Sequence, residues 1–168
     1  AMTNALMEKS AAKSLETLDS LISDGAHPLQ ILKAIENQFR KLLTAREFLS
    51  TISSDGSGFG NLPFNRFKQE ILPELTRRDE ALVEYLVSGY KDSGSHKVAR
   101  KDIPKDLLFA PNPKSPYPVY LLFKHAARFT VTELYHVLIF ICDLDYGVKT
   151  SAIDTITHIE QLTLQLCS

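Results

Sequence analysis

Residues 28 to 49 read PLQILKAIENQFRKLLTAREFL, and their spacing decides the fold class. Leu29, Leu32, Ile35, Phe39, Leu42 and Leu49 recur every three or four positions, and Ile52 continues the row. That period puts them on one face of an α-helix, with Lys33, Glu36, Arg40, Lys41, Arg46 and Glu47 on the other. Pro28 suits the first helical position, where its missing N–H costs nothing. Glu36 and Arg40 stand four apart, an ion pair worth a few tenths of a kcal/mol.

The residues before this stretch predict a second helix, antiparallel to it. Residues 11 to 23, AAKSLETLDSLIS, place Leu15, Leu18, Leu21 and Ile22 on one face. Ser10 is positioned to cap its start. Gly25 supplies the left-handed residue that ends a helix, and Ala26-His27-Pro28 is too short a turn for anything but antiparallel packing. Thr3 to Glu8 forms a short helical lead-in. Ala1 ahead of Met2 reads as a cloning remnant, and the immediate entry into helix is that of a C-terminal piece of a longer protein.

Beyond Ile52 the pattern breaks. Ser53-Ser54-Asp55-Gly56-Ser57-Gly58 has turn chemistry and no apolar residue, and is expected to be a loop. Helix resumes after Leu62-Pro63, with Phe64, Phe67, Ile71 and Leu75 on one side; Pro73 should kink or end it. Residues 78 to 88 form a further amphipathic segment, ended by Gly89. Residues 90 to 116 carry four prolines and predict a long surface excursion. Within it lie Lys97, Arg100, Lys101 and Lys105, either a solvated loop or a weak phosphate-contacting patch.

Order returns at Pro118. Residues 118 to 129 predict a helix with Leu121, Leu122 and Phe129 inward. Thr130-Val131-Thr132-Glu133 is a capping box. The helix it opens repeats Leu134, Val137, Leu138, Ile141, Leu144 and Val148. Ile139, Phe140 and Cys142 lie on its other side, which predicts a central helix covered on several faces. Thr150 or Ser151 should cap a last helix, residues 152 to 166, with Ile153, Ile156, Ile159, Leu162 and Leu166 inward. No alternation of period two is evident. The expected fold is all-α, a bundle of about five to seven helices in one domain, residues 3–168, with an insertion at about 53–114.

Composition limits the functions available. Hydrophobic residues make up 44% of the 168, enough for a core. The formal charge of −1 gives no global basic field for nucleic acid or a membrane surface. The longest apolar run, Val137 to Cys142, is far short of the roughly 20 residues that span a bilayer. Cys142 and Cys167 lie in apolar helical patterns and read as buried, reduced thiols of a cytoplasmic protein; the sequence also admits a disulfide between them.

Candidate chemistry is sparse. His27, His96, His125, His136 and His158 form no ligand spacing, so no metal is expected. No phosphate-cradling G-x-x-x-x-G-K-[ST] loop and no G-x-S-x-G elbow occurs, so neither a nucleotide cofactor nor hydrolase chemistry is expected. His136 beside Glu133 reads as local pairing. Lys124 and Arg128, flanking His125, are either a solvated helical face or a contact to a DNA backbone or a subunit. Tyr146 is read as a helix-end aromatic packed on the bundle, or as a platform for an unpaired base.

Taken in order, residues 5 to 49 and 115 to 167 resemble the C-terminal domain of the bacterial DNA polymerase III delta subunit, a clamp-loader component. The features that carry this are LETLDSLISDGAHP, then Gln38-Phe39-Arg40-Lys41-Leu42-Leu43. Ser115-Pro116-Tyr117 follows, where the family usually has His-Pro-aromatic, then Ala126-Ala127-Arg128-Phe129, the capped Thr130 to Leu134, Leu144-Asp145 with Lys149-Thr150-Ser151, and the terminal Gln161 to Leu166.

The resemblance implies a non-catalytic helical collar domain that joins clamp-loader subunits, gamma/tau and delta-prime, in loading the sliding clamp onto primed DNA during replication. In that family the ATPase-like fold and the clamp-binding surface lie in the N-terminal part. Arg40, Lys41 and Arg46 then become candidate subunit contacts. Lys97, Arg100, Lys101, Lys124 and Arg128 are candidate DNA contacts. A stand-alone helical nucleic-acid-binding or other protein-interaction domain is the alternative.

Overall fold

The computed structural model describes residues 2–52, 57–92, 108–110, 114–150 and 154–167. Helices account for nearly all of them, and no strand occurs among the described residues, so the chain is all-α. Two compact units are present: residues 1–57 with 125–168, and residues 58–124.

The first unit begins with α1 (Met2–Met7), α2 (Ala11–Ser23) and α3 (Pro28–Ile52) and ends with α7 (Val131–Thr150) and α8 (Thr155–Cys167). The helix α3 packs against α1, α7 and α8, and α2 packs against α1 and α8. Its buried row is Ile31, Leu32, Ile35, Phe39, Leu42, Ala45 and Leu49. The face read from the sequence is therefore the core face, with Ile31 and Ala45 added. Ile52 is a correction: it is exposed at the end of α3, one turn past the buried Leu49.

Local signals shape the ends. Gly25 has φ +85°, and the N–H groups of Ala26 and Gly25 donate to the Leu21 and Ile22 carbonyls, a Schellman close to α2. Lys9, at φ +55°, closes α1 in the left-handed region without being glycine. Ser10 stands at the start of α2, but its side chain makes no capping bond; its carbonyl instead accepts from the Ser14 N–H and hydroxyl. The capping box forms as expected: Thr130 Oγ1 accepts from the Glu133 N–H at 3.1 Å, and Glu133 Oε2 accepts from the Thr130 N–H at 2.6 Å. The last helix starts later than expected. Thr150 still belongs to α7, and the cap is Asp154, whose carboxylate accepts from the Ile156 N–H and the Thr157 hydroxyl. Ser151 lies outside the described residues.

The second unit holds most of a 3-10 turn (Ser57–Asn61), a helical turn α4 (Phe64–Arg66), a π-helical segment (Phe67–Ile71), α5 (Leu72–Asp92) and most of α6 (Tyr117–Ala126). The helix does not end at Pro73. Pro73 brings no N–H for the carbonyl four residues back, and the chain widens just before it, with Leu72 N–H donating to the Phe67 carbonyl five residues earlier. Nor does Gly89 end the helix, which runs on to Asp92. Phe67, Ile71, Leu75 and Val83 are buried along this rod. Phe67 and Phe109 meet Phe123 at 5.9 and 5.2 Å between centroids. It is thus Phe123, with Val119 and Ala126, rather than Leu121 or Leu122, that α6 buries.

Asp79 is the one buried carboxylate among the described residues. It accepts from the Ala110 N–H at 2.8 Å and pairs with Arg78 at 3.1 Å, while Arg78 lies 4.5 Å from the Phe109 ring centroid.

Candidate interaction faces

Because α3 spends one side on the core, its other side presents charge. Arg40 is exposed and leans on Glu36 at 3.6 Å, and Lys33 holds the other oxygen of the same carboxylate at 2.8 Å. Lys41 is exposed with no ion pair among the described residues. Arg46 differs from the expectation. It is half-buried, one turn beyond Leu42 and next to the buried Ala45, so only Arg40 and Lys41 project fully.

Of the candidate DNA contacts, Lys97, Arg100 and Lys101 lie outside the described residues. Lys105 does as well. Lys124 is half-buried on α6, and Arg128 is exposed in the turn after it. Lys124 falls in the second unit and Arg128 in the first.

The larger departure concerns α7. It buries one face, that of Leu134, Val137, Ile141, Leu144 and Gly147. Its other face is open: Tyr135 is 48% exposed, Ile139 57% and Tyr146 71%, and Cys142 is exposed too. Cys142 is therefore neither buried nor in a disulfide, and Tyr146 does not pack on the bundle. Apolar residues all round a helix predict cover on all sides, but among the described residues α7 has partners on one side. The sequence carried the signal in the spacing of 135, 139, 142 and 146, steps of four, three and four.

Tyr135 is anchored to α3, its hydroxyl donating to Glu47 at 2.9 Å, which raises the phenol above its ordinary pKa. Cys167 is half-buried, and that burial raises its thiol.

Beside the open face, α7 and α8 form a groove of about 510 Å³. Val137, Phe140, Leu162 and Leu166 supply apolar wall, and Lys9, Glu133, His136, Asp143 and Gln165 supply polar rim. Glu133 does not pair with His136. It is held by Lys9 at 3.1 Å and by the capping box. Burial alone would raise its carboxyl; the hydrogen bonds from Thr130 and the Lys9 ammonium overcome this and hold it below the usual range. The rim offers ionic and hydrogen-bonding contacts beside an apolar wall, which suits binding another molecule's side chains. No cluster of three or more His, Cys, Asp or Glu able to hold a metal occurs among the described residues. No helix among them is long and apolar enough to cross a membrane.

Residues 1–73 match the family model of the DNA polymerase III delta subunit, C-terminal domain. The resemblance read at residues 5 to 49 falls inside that match, and the resemblance read at 115 to 167 falls outside it. No curated protein and no solved structure matches the chain.

Proposed function

We propose that this chain is the collar domain of a clamp-loader delta subunit, a non-catalytic oligomerisation module. It would hold the delta subunit to its neighbours, gamma/tau and delta-prime, while the sliding clamp is opened and placed on primed DNA. The observation that carries this reading is the family match, which covers α1, α2 and α3 and so includes the helix that organises the first unit. The all-α build supports it, since a scaffold needs rigid packed helices and exposed faces rather than a reacting centre.

In this reading residues 3–168 act as one domain, and the segment at about 53–114 is an elaboration between α3 and the C-terminal helices. The exposed Arg40 and Lys41 would meet an acidic surface on a neighbouring subunit; Arg46, seven residues after the buried Phe39, lies on the core side of α3 and would contribute less. Contact with the clamp would belong to the rest of the delta subunit. The working compartment is the cytoplasm.

Mixing this chain with purified gamma/tau and delta-prime tests the proposal. Co-elution from a sizing column in one complex is the expected result. Separate elution at concentrations well above those of loader assembly would refute it.

A further inference from the structure

We propose that the pocket formed by Arg78, Asp79 and Phe123 in the second unit is a peptide-docking site. In the free chain it is held by the chain's own Leu108-Phe109-Ala110. Its partner is an extended peptide of the same chemistry: an aromatic residue, then a small residue whose backbone N–H is free to donate.

The position of Asp79 is the first argument. Ile71, Leu75, Asp79 and Val83 follow one another in steps of four, and all four are buried. This row is the core side of the rod, and an aliphatic side chain would fit at 79 as it does at 71, 75 and 83. A carboxylate there has lost its water, which is costly unless hydrogen bonds replace it. A buried ion pair is often no better than an apolar residue of similar volume. Asp79 therefore adds selectivity rather than cohesion. It rewards only a segment that brings a backbone N–H to it, as Ala110 does at 2.8 Å.

The second argument is the way the segment is held. Residues 108–110 belong to no helix. An aromatic anchor and a backbone hydrogen bond secure them, the means by which receptors hold extended peptides. The Phe109 ring stands edge to face on Phe123, with centroids 5.2 Å apart. The Arg78 guanidinium lies 4.5 Å from the Phe109 centroid while pairing with Asp79 at 3.1 Å. Arg78 thus joins the anchor to the acceptor, so that ring and N–H are recognised together. In sequence Ala110 precedes Pro111, which disfavours helix at 110 and favours an extended segment before it docks. This inference does not rest on the collar reading and leaves the outer face of α3 free.

Fluorescence anisotropy tests it, with a labelled synthetic peptide of the sequence of residues 105–112 and the whole 168-residue chain. The natural chain, its pocket filled, should bind weakly. Phe109→Ala, which removes the chain's own anchor, should bind at least tenfold more tightly. Methylating the peptide nitrogen that corresponds to Ala110 should cost about tenfold or more, because Asp79 then has no donor.

A folded Phe109→Ala chain that does not bind the peptide overturns the proposal, as does binding indifferent to the methyl group. Where circular dichroism shows Phe109→Ala to be unfolded, amide exchange in the natural chain decides. Protection at Ala110 at least tenfold lower than at Val83 supports a segment that opens while α5 stays folded. Equal protection at the two amides ties the segment to global unfolding and overturns the proposal.

Discussion

Phe39 of α3 and Phe129, in the turn that leads into α7, meet edge to face, with centroids 5.9 Å apart and planes at 77°. Both rings are almost fully buried, and the Lys9 ammonium sits 4.9 Å from the Phe129 centroid. Three chain segments far apart in sequence thus converge on one aromatic pair. Aromatic pairs of this geometry contribute about 0.5–1.5 kcal/mol beyond their burial. Phe39→Ala should therefore destabilise the fold by about 3–5 kcal/mol, and Phe39→Leu by less. Urea unfolding followed by circular dichroism measures both; an unchanged transition for Phe39→Ala would contradict the packing described.

The capping box at Thr130 should make stability depend on pH. The Glu133 carboxyl is held below its ordinary pKa in the folded chain. Its contribution is therefore fully present above the usual carboxylate range and is lost as pH falls through that range to the folded value. The stability gap between the natural chain and Glu133→Gln should shrink as pH is lowered from neutral into acid. Thr130→Ala should cost about 1 kcal/mol at neutral pH. Denaturant titrations across a pH series check both, and a gap that widens in acid would show the sign to be wrong.

In the second unit, Asp79 ties residue 110 to α5. Asp79→Ala would leave the buried Ala110 N–H without its acceptor, at a cost of about 1–3 kcal/mol. Asp79→Asn keeps an acceptor oxygen and should cost less. Hydrogen exchange at the Ala110 amide should accelerate strongly in the first variant and modestly in the second.

The exposed pair on α3 gives a prediction that separates binding from folding. Lys41 has no internal ion pair among the described residues, so Lys41→Glu should leave the melting temperature within about one degree. The same change should weaken capture of gamma/tau or delta-prime several-fold, with the loss greatest at low salt. Equal binding by the variant would move the subunit contact away from this face.

Much of the fold was legible because its signals are local and redundant. The row from Leu32 to Leu49 could form only one helical face, and Gly25 and the Thr130–Glu133 box named their own ends. Several differences depend on what lies opposite in space. Ile139 and Cys142 look like core by composition, and only the placement of α3 and α8 shows that α7 has one covered side. Arg46 looks like a surface charge by type, but it stands four residues after Leu42 and seven after Phe39, so its spacing already placed it towards the core row. Asp154 caps α8, although Thr150 and Ser151 offer the same chemistry a few residues earlier. For the candidate site, Arg40 and Lys41 were readable as solvent-facing charge, whereas the open stripe of α7 was not.

Reconstitution of the clamp loader is the most direct test of the collar assignment. Delta subunit carrying this chain should assemble with gamma/tau and delta-prime into one complex, as measured by light scattering after size exclusion. Delta subunit lacking residues 5–168 should elute apart from them. Assembly of the truncated subunit with undiminished mass and yield would contradict the account.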